Sequence, residues 1–140
     1  MAKTKGLVIK ERTVGESDRL VTLLTADYGL VNAFVRNAKQ LKNKLSASTS
    51  LFAYCEFSIY QGRDANVVDN ATVIEMFFDL RSDIEKLAVA QYFAQLAYEL
   101  ANEGQPEEEM LSIILNSLHL LCKGEKSIVQ IKSVVEFRLM

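Results

Sequence analysis

The chain predicts an α+β fold, with a five-stranded barrel over residues 1–79 followed by an all-α, partial helical bundle over residues 80–140. Two periodicities carry this reading. Short β-branched or alternating runs, separated by turn residues, continue to Glu75, and helical stripes begin at Leu80. Charge divides along nearly the same line. Residues 1–63 hold ten Lys/Arg against five Asp/Glu, a net +5, whereas residues 64–140 hold six against thirteen, a net −7. A basic first module that meets a polyanion, joined to an acidic one that does not, would produce that polarity.

Leu7-Val8-Ile9 opens the first strand, and Arg19–Thr25 forms a second between Gly15 and Gly29. Leu30–Arg36 alternates, with Val31, Ala33 and Val35 on one face and Asn32, Phe34 and Arg36 on the other. Leu51–Tyr60 alternates again. It places Leu51, Ala53, Cys55, Phe57 and Ile59 opposite Phe52, Tyr54, Glu56, Ser58 and Tyr60. After a turn at Gln61–Asp64, Asn66–Glu75 makes the fifth strand. Five strands suit a small barrel better than a two-sheet sandwich. The segment Asn37–Ser46 is polar and basic and reads as a loop or short helix.

The first helix is traced by Ile84, Leu87, Ala88, Gln91, Ala94, Leu96, Tyr98 and Ala101, and it ends at Asn102-Glu103-Gly104. Pro106 is expected at the first position of the second helix, with Glu107–Glu109 in its first turn, where the helix dipole favours acids. Gly124 ends that helix, and Ser127 caps a third through Leu139. The third helix meets no stop signal, so a truncated helical domain is expected. Its apolar Val134, Val135, Phe137, Leu139 and Met140 would then be covered by further chain or by self-association.

Composition is that of an ordinary globular chain, 49% hydrophobic and 24% charged. No stretch approaches a membrane span and the start lacks a signal-peptide core, so a cytoplasmic location is expected. Phosphate-loop, dinucleotide and hydrolase-elbow motifs are absent. His119 lies within a leucine run, Cys55 and Cys122 read as small core hydrophobes, and Glu16 and Asp18 read as turn residues. No enzyme, cofactor or zinc site is therefore expected.

Basic and aromatic residues point to a different chemistry. Arg36 and Phe34 share a strand face, Lys39, Lys42 and Lys44 follow at once, and Arg63 sits in the last barrel turn. Arg12 and Arg19 are further candidates, although Arg19 could instead pair with Glu16 or Asp18. Lys and Arg draw in phosphates while aromatic faces stack bases, which is the combination that binds single strands. Phe52, Tyr54 and Tyr60 either join that platform or pack against the helices. The three lysines either contact phosphate or solvate a loop, and no acid lies between Asp27 and Glu56 to neutralise them.

Gly6–Ile9, Arg12, the run Gly15-Glu16-Ser17-Asp18-Arg19-Leu20-Val21-Thr22-Leu23-Leu24-Thr25, Gly29-Leu30 and Arg36 with Ala38-Lys39 resemble the start of the bacterial RecO recombination mediators. Phe78, Leu80–Asp83, Tyr92–Leu100 and Val135–Leu139 extend the likeness more loosely. The resemblance implies an N-terminal OB-fold joined to a helical domain. It also implies a nucleoid-associated protein that binds single- and double-stranded DNA and anneals complementary strands. Such a protein would load RecA together with RecR and single-strand-binding protein. Three departures stand out: Asn37 replaces a common Gly, Leu51 replaces the usual Pro before Phe52, and the chain ends before the region where many relatives carry a four-Cys zinc module. The other function class compatible with these residues is an adaptor whose basic barrel grips an acidic protein tail.

Overall fold

The computed structural model describes residues 2–36, 45–62 and 65–139. Five strands, β1 (Ala2–Val14), β2 (Asp18–Thr25), β3 (Gly29–Val35), β4 (Tyr54–Gln61) and β5 (Asn66–Glu75), close in the order β1-β2-β3-β5-β4. Only the β3–β5 seam is parallel, and it holds two registered pairs, Ala33 with Asn66 and Phe34 with Val67. This is the OB-like barrel the sequence predicts. A short α1 (Leu45–Ser48) lies between β3 and β4, and a 3₁₀ turn (Phe78–Ser82) leads into α2 (Ile84–Leu100), α3 (Glu108–Lys123) and α4 (Ile128–Leu139).

β1 is much longer than the Leu7–Ile9 run implies, because it serves two neighbours. Its first half pairs with β4 and its second half with β2, with a bulge between Val8 and Lys10. Polar residues at both ends hid it. Thr4, for example, is buried yet satisfied by a 2.9 Å hydrogen bond to Asp27.

Two cores explain the apolar runs. Val8, Val21, Leu23, Ala33, Val35, Cys55, Phe57, Ile59 and Val68 fill the barrel. Leu7, Ile9 and Leu24, on the outer face of the same strands, pack instead with Phe93, Ala97, Leu111, Ile114 and Leu118 of the helices. Both faces of β1 and β2 are therefore covered at this end, so the sequence there reads as continuous rather than alternating apolar.

The helices keep their predicted order, but two of them shift in detail. The buried stripe of α2 is Ala90, Phe93, Ala94, Leu96 and Ala97, whereas Ile84 is 88% exposed and Tyr98 is open to solvent. Ala94 and Leu96 of the expected stripe are buried, and the small Ala90 and Ala97 beside them let α2 approach the barrel closely. Asp83 caps it, accepting from the Glu85 and Lys86 N–H groups. Pro106 stands two residues before α3 rather than opening it. Gly124, at φ 68°, ends α3, and the Ser127 hydroxyl accepts from the Gln130 N–H at the start of α4. On α4 only Ile131 and Val135 are buried, while Val129, Val134 and Phe137 are exposed.

β4 begins at Tyr54, not Leu51. Leu51 and Phe52 form a turn in which Phe52 takes a left-handed φ of 68°, its N–H bonds the Val8 carbonyl, and its ring is buried in the barrel–helix core. Phe52 is thus a packing residue and leaves the outward aromatic set. Phe77, also left-handed at φ 53°, closes the same junction and meets the His119 ring edge-on at 4.8 Å.

Candidate nucleic-acid interface

The helices cover only one end of the β1–β2–β3 outer face. Beyond Leu7, Leu24 and Leu30 the register continues in two rows whose members are exposed or half-exposed, apart from the buried Thr22. The first row is Lys10, Thr22 and Asn32, and the second is Arg12, Leu20 and Phe34. Arg36, exposed, follows directly after β3. Alternation forces this arrangement, because Val21, Leu23, Ala33 and Val35 occupy the barrel and turn their neighbours outward.

Each row carries a cation beside groups that can meet a flat ring or a polar edge. Lys10 Nζ sits 3.8 Å from the centroid of Tyr98 on α2, so the helical unit contributes an aromatic ring beside the Lys10 row. Thr22 donates to Asn32 Oδ1 at 2.7 Å, which fixes the amide across the strands. Lys10, Leu20, Thr22, Asn32 and Tyr98 reach this face through the fold and are not among the candidates the sequence offers. The alternation that places Asn32 with Phe34 and Arg36 was the available signal for one of them. For Tyr98 there was none, since its role depends on how α2 docks.

Arg19 lies elsewhere. Its alternation follows Val21 and Val35, toward the barrel mouth, where Nη1 donates to the Ser46 carbonyl at 2.7 Å and to Thr49 Oγ1 at 3.0 Å. Glu11 approaches to 4.0 Å. The guanidinium thus ties the α1 turn to the barrel, and it does so through these groups rather than through the Glu16 or Asp18 pairing considered from sequence. Tyr54 is half-buried against the barrel–helix core, and burial raises its phenol pKa. Tyr60 is exposed on β4, which pairs with β1 and β5 and not with β2 or β3. Val67 of β5 pairs with both Tyr60 and Phe34, so Tyr60 continues the Phe34 row two strands away, whereas Tyr54, paired with Leu7 and Glu75, lies outside it. Lys39, Lys42, Lys44 and Arg63 lie outside the described residues.

Of the residues that bear reactive side chains, Cys55 is placed as a packing group. Cys55 is fully buried in the barrel, its thiol donates to the Ser48 carbonyl, and burial pushes its pKa up to about 11. His119 is on the surface of α3. Among the described residues no group of three His, Cys, Asp or Glu could hold a metal ion, and no helix is long and apolar enough to cross a membrane.

Comparison with known proteins agrees with the architecture. The family model for the recombination protein O N terminal matches residues 1–77, and that for its C terminal matches residues 81–140. A DNA repair protein RecO of Acetivibrio thermocellus is 38% identical over 138 residues, which is 99% of this chain and 55% of the relative. That of Caldicellulosiruptor bescii is 36% identical over 89% of this chain and 51% of its own length. That of Alkaliphilus metalliredigens is 31% identical over the whole chain and 57% of its own length. The chain spans about half the length of these relatives. Two family models that divide the chain between barrel and helices, and relatives aligned along almost all of it, establish that the chain belongs to the RecO family of DNA repair proteins.

Proposed function

We propose that this chain is the DNA-binding part of a recombination mediator and works by binding, without catalytic turnover. The observation that carries the reading is the registered row Arg12–Leu20–Phe34 beside Lys10–Thr22–Asn32 on the uncovered barrel face. A single strand laid along it would set phosphates against Arg12, Lys10 and Arg36 and bases against Phe34, Leu20 and the Tyr98 ring. Lys39, Lys42, Lys44 and Arg63 would extend the phosphate track from the adjoining loops. In this reading the protein acts in the cytoplasm at the nucleoid, anneals complementary strands, and hands single-stranded DNA to RecA together with RecR and single-strand-binding protein. We also propose that the exposed side of α4 pairs with a second copy.

Salt-dependent titration of a labelled single strand tests the DNA reading. Arg12→Ala should weaken binding to every sequence and flatten the slope of log K against log salt by about 0.7, the value for one lost phosphate contact on single strands. Replacing Lys39, Lys42 and Lys44 together by Ala should flatten it by about 2. Arg19→Ala should leave the slope alone and lower stability instead, because it strips two hydrogen bonds from the α1 turn. Slopes that all match the parent would overturn the reading. Capture of an acidic peptide without any oligonucleotide binding would favour the adaptor.

A further inference from the structure

A cleft of about 670 Å³ opens where the barrel closes least well. The β3–β5 seam has only two registered pairs, so Gly29–Asn32 of β3 finds no partner on β5. The loop between α2 and α3 takes up the first of these edge groups, with Leu30 N–H bonding the Asn102 carbonyl and Gly104 N–H bonding the Tyr28 carbonyl. The cleft lies between that loop, the end of β4 and the start of β5. Its apolar lining includes Leu30, Val31 and Ile59, and its polar lining includes Asn32, Gln61, Asn66 and Glu103, with Tyr28 the aromatic residue among them.

Hydrogen bonds already made define what this lining still offers. Thr22 holds Asn32 Oδ1, which leaves the Asn32 amide N–H₂ to donate. Asn66 uses its own amide nitrogen on the Asn32 carbonyl at 3.3 Å, which leaves Oδ1 to accept. The same bond occupies the free edge of β3, so an added peptide strand would have to break it. Gln61 can donate or accept, and the Glu103 carboxylate only accepts. The described lining is therefore rich in acceptors and carries one carboxylate, with no Lys or Arg among the described residues. A planar, neutral ligand with exocyclic N–H₂ groups and one acceptor fits it. Asn32 belongs both to this cleft and to the Lys10–Thr22–Asn32 row, so the two sites are continuous.

We propose that the cleft receives one unpaired base of a bound single strand and favours the amine-bearing bases adenine, cytosine and guanine over thymine. This rests on the single-strand reading above and adds a base-reading subsite to it. An unstacked base would lie against Tyr28 while its edge meets Asn32, Asn66 and Glu103, the usual way unpaired bases are held. Thymine has one N–H and no exocyclic amine, so it leaves acceptors unpaired.

Nucleosides, which lack phosphate, separate this subsite from the phosphate track. Adenosine and cytidine titrated into the ¹⁵N-labelled full chain should move the side-chain amide signals of Asn32, Gln61 and Asn66 and the backbone signal of Gly104. Thymidine should do so roughly fivefold more weakly. Gln61→Leu and Glu103→Ala change exposed residues, so their backbone spectra should match the parent while the adenosine response falls by a similar factor. Equal response to all nucleosides, or shifts confined to Arg12, Phe34 and Tyr98, would overturn the subsite even if oligonucleotides bind with the predicted salt slope. Nucleoside binding at the cleft without any oligonucleotide binding would keep the subsite and remove the single-strand reading.

Discussion

The Thr22 hydroxyl and the Asn32 side-chain oxygen meet at 2.7 Å across directly paired positions of β2 and β3, on the outside of the barrel. Thr22 is 7% exposed, so its hydroxyl needs a partner there, and Asn32 supplies one while remaining exposed itself. The pair couples strand pairing to the orientation of an exposed amide on the barrel's outer face.

Thr22→Val keeps the shape and removes the donor, leaving Asn32 Oδ1 to water. Urea unfolding should show a loss of about 1 kcal/mol, the ordinary net value of one hydrogen bond. Adenosine binding at the cleft should weaken too, because the Asn32 amide is no longer held in one orientation. A variant with unchanged adenosine binding would show that the amide orients itself without Thr22.

Burial of Cys55 has a consequence for pH. A thiol whose pKa is raised to about 11 by desolvation keeps its proton in the folded chain when an unfolded thiol, near 9, has lost it. The folded state binds more protons between those values, so this group's contribution to stability is complete below about pH 9 and is lost as pH rises toward 11. Cys55→Ala should therefore show a shallower fall in stability than the parent across that window, measured by denaturant midpoints. Equal slopes would mean the thiol ionises as readily inside the barrel as outside.

Much of this was legible in the sequence, and the exceptions share a cause. Strand alternation placed Phe34, Asn32 and Arg36 on one face, and the Pro, Gly and Ser signals placed the helix ends to within a residue or two. Alternation failed at Phe52, where a left-handed turn precedes β4 and turns the ring into the junction. It also could not tell Arg12, on the open face, from Arg19, at the mouth closed by α1, because that depends on the inward register of Val21 and Val35. The Lys10–Tyr98 contact and the cleft at the β3–β5 seam arise from docking α2 and its following loop onto the barrel. A local pattern carries no trace of such contacts.

Phe137 is 86% exposed on α4, with Val129 at 73% and Val134 at 55%. Surfaces of this kind commonly mark interfaces, and a self-complementary patch closes most simply as a two-fold pair. The chain should sediment as a dimer at concentrations on the order of tens of micromolar. Phe137→Asp should be a monomer with unchanged helix content, because the ring packs against little in the single chain. A monomeric parent would remove self-pairing from the account of α4.

Gly29 and Gly15 provide a controlled comparison of close approach against backbone conformation alone. Both have left-handed φ values, 65° and 64°, so an alanine at either position should cost on the order of 1–2 kcal/mol for that conformation. At Gly15 nothing lies within 4 Å of the added Cβ, so the cost should stop there. At Gly29 the Cβ would fall 2.0 Å from the Asn102 carbonyl oxygen and 2.6 Å from that of Gln105. These are backbone atoms of the loop that bonds Leu30 and Tyr28, so no side chain can swing aside. Gly29→Ala should therefore destabilise the chain clearly more than Gly15→Ala in paired denaturant titrations. It should also push the Asn102–Gly104 loop off the β3 edge, visible as faster hydrogen exchange at Leu30 and Gly104. Adenosine binding should fall in Gly29→Ala and hold in Gly15→Ala, because only the first displaces a wall of the cleft. Equal destabilisation with an intact loop would mean the helical unit can shift to admit the methyl group, and that the loop is not fixed by its contact with Gly29.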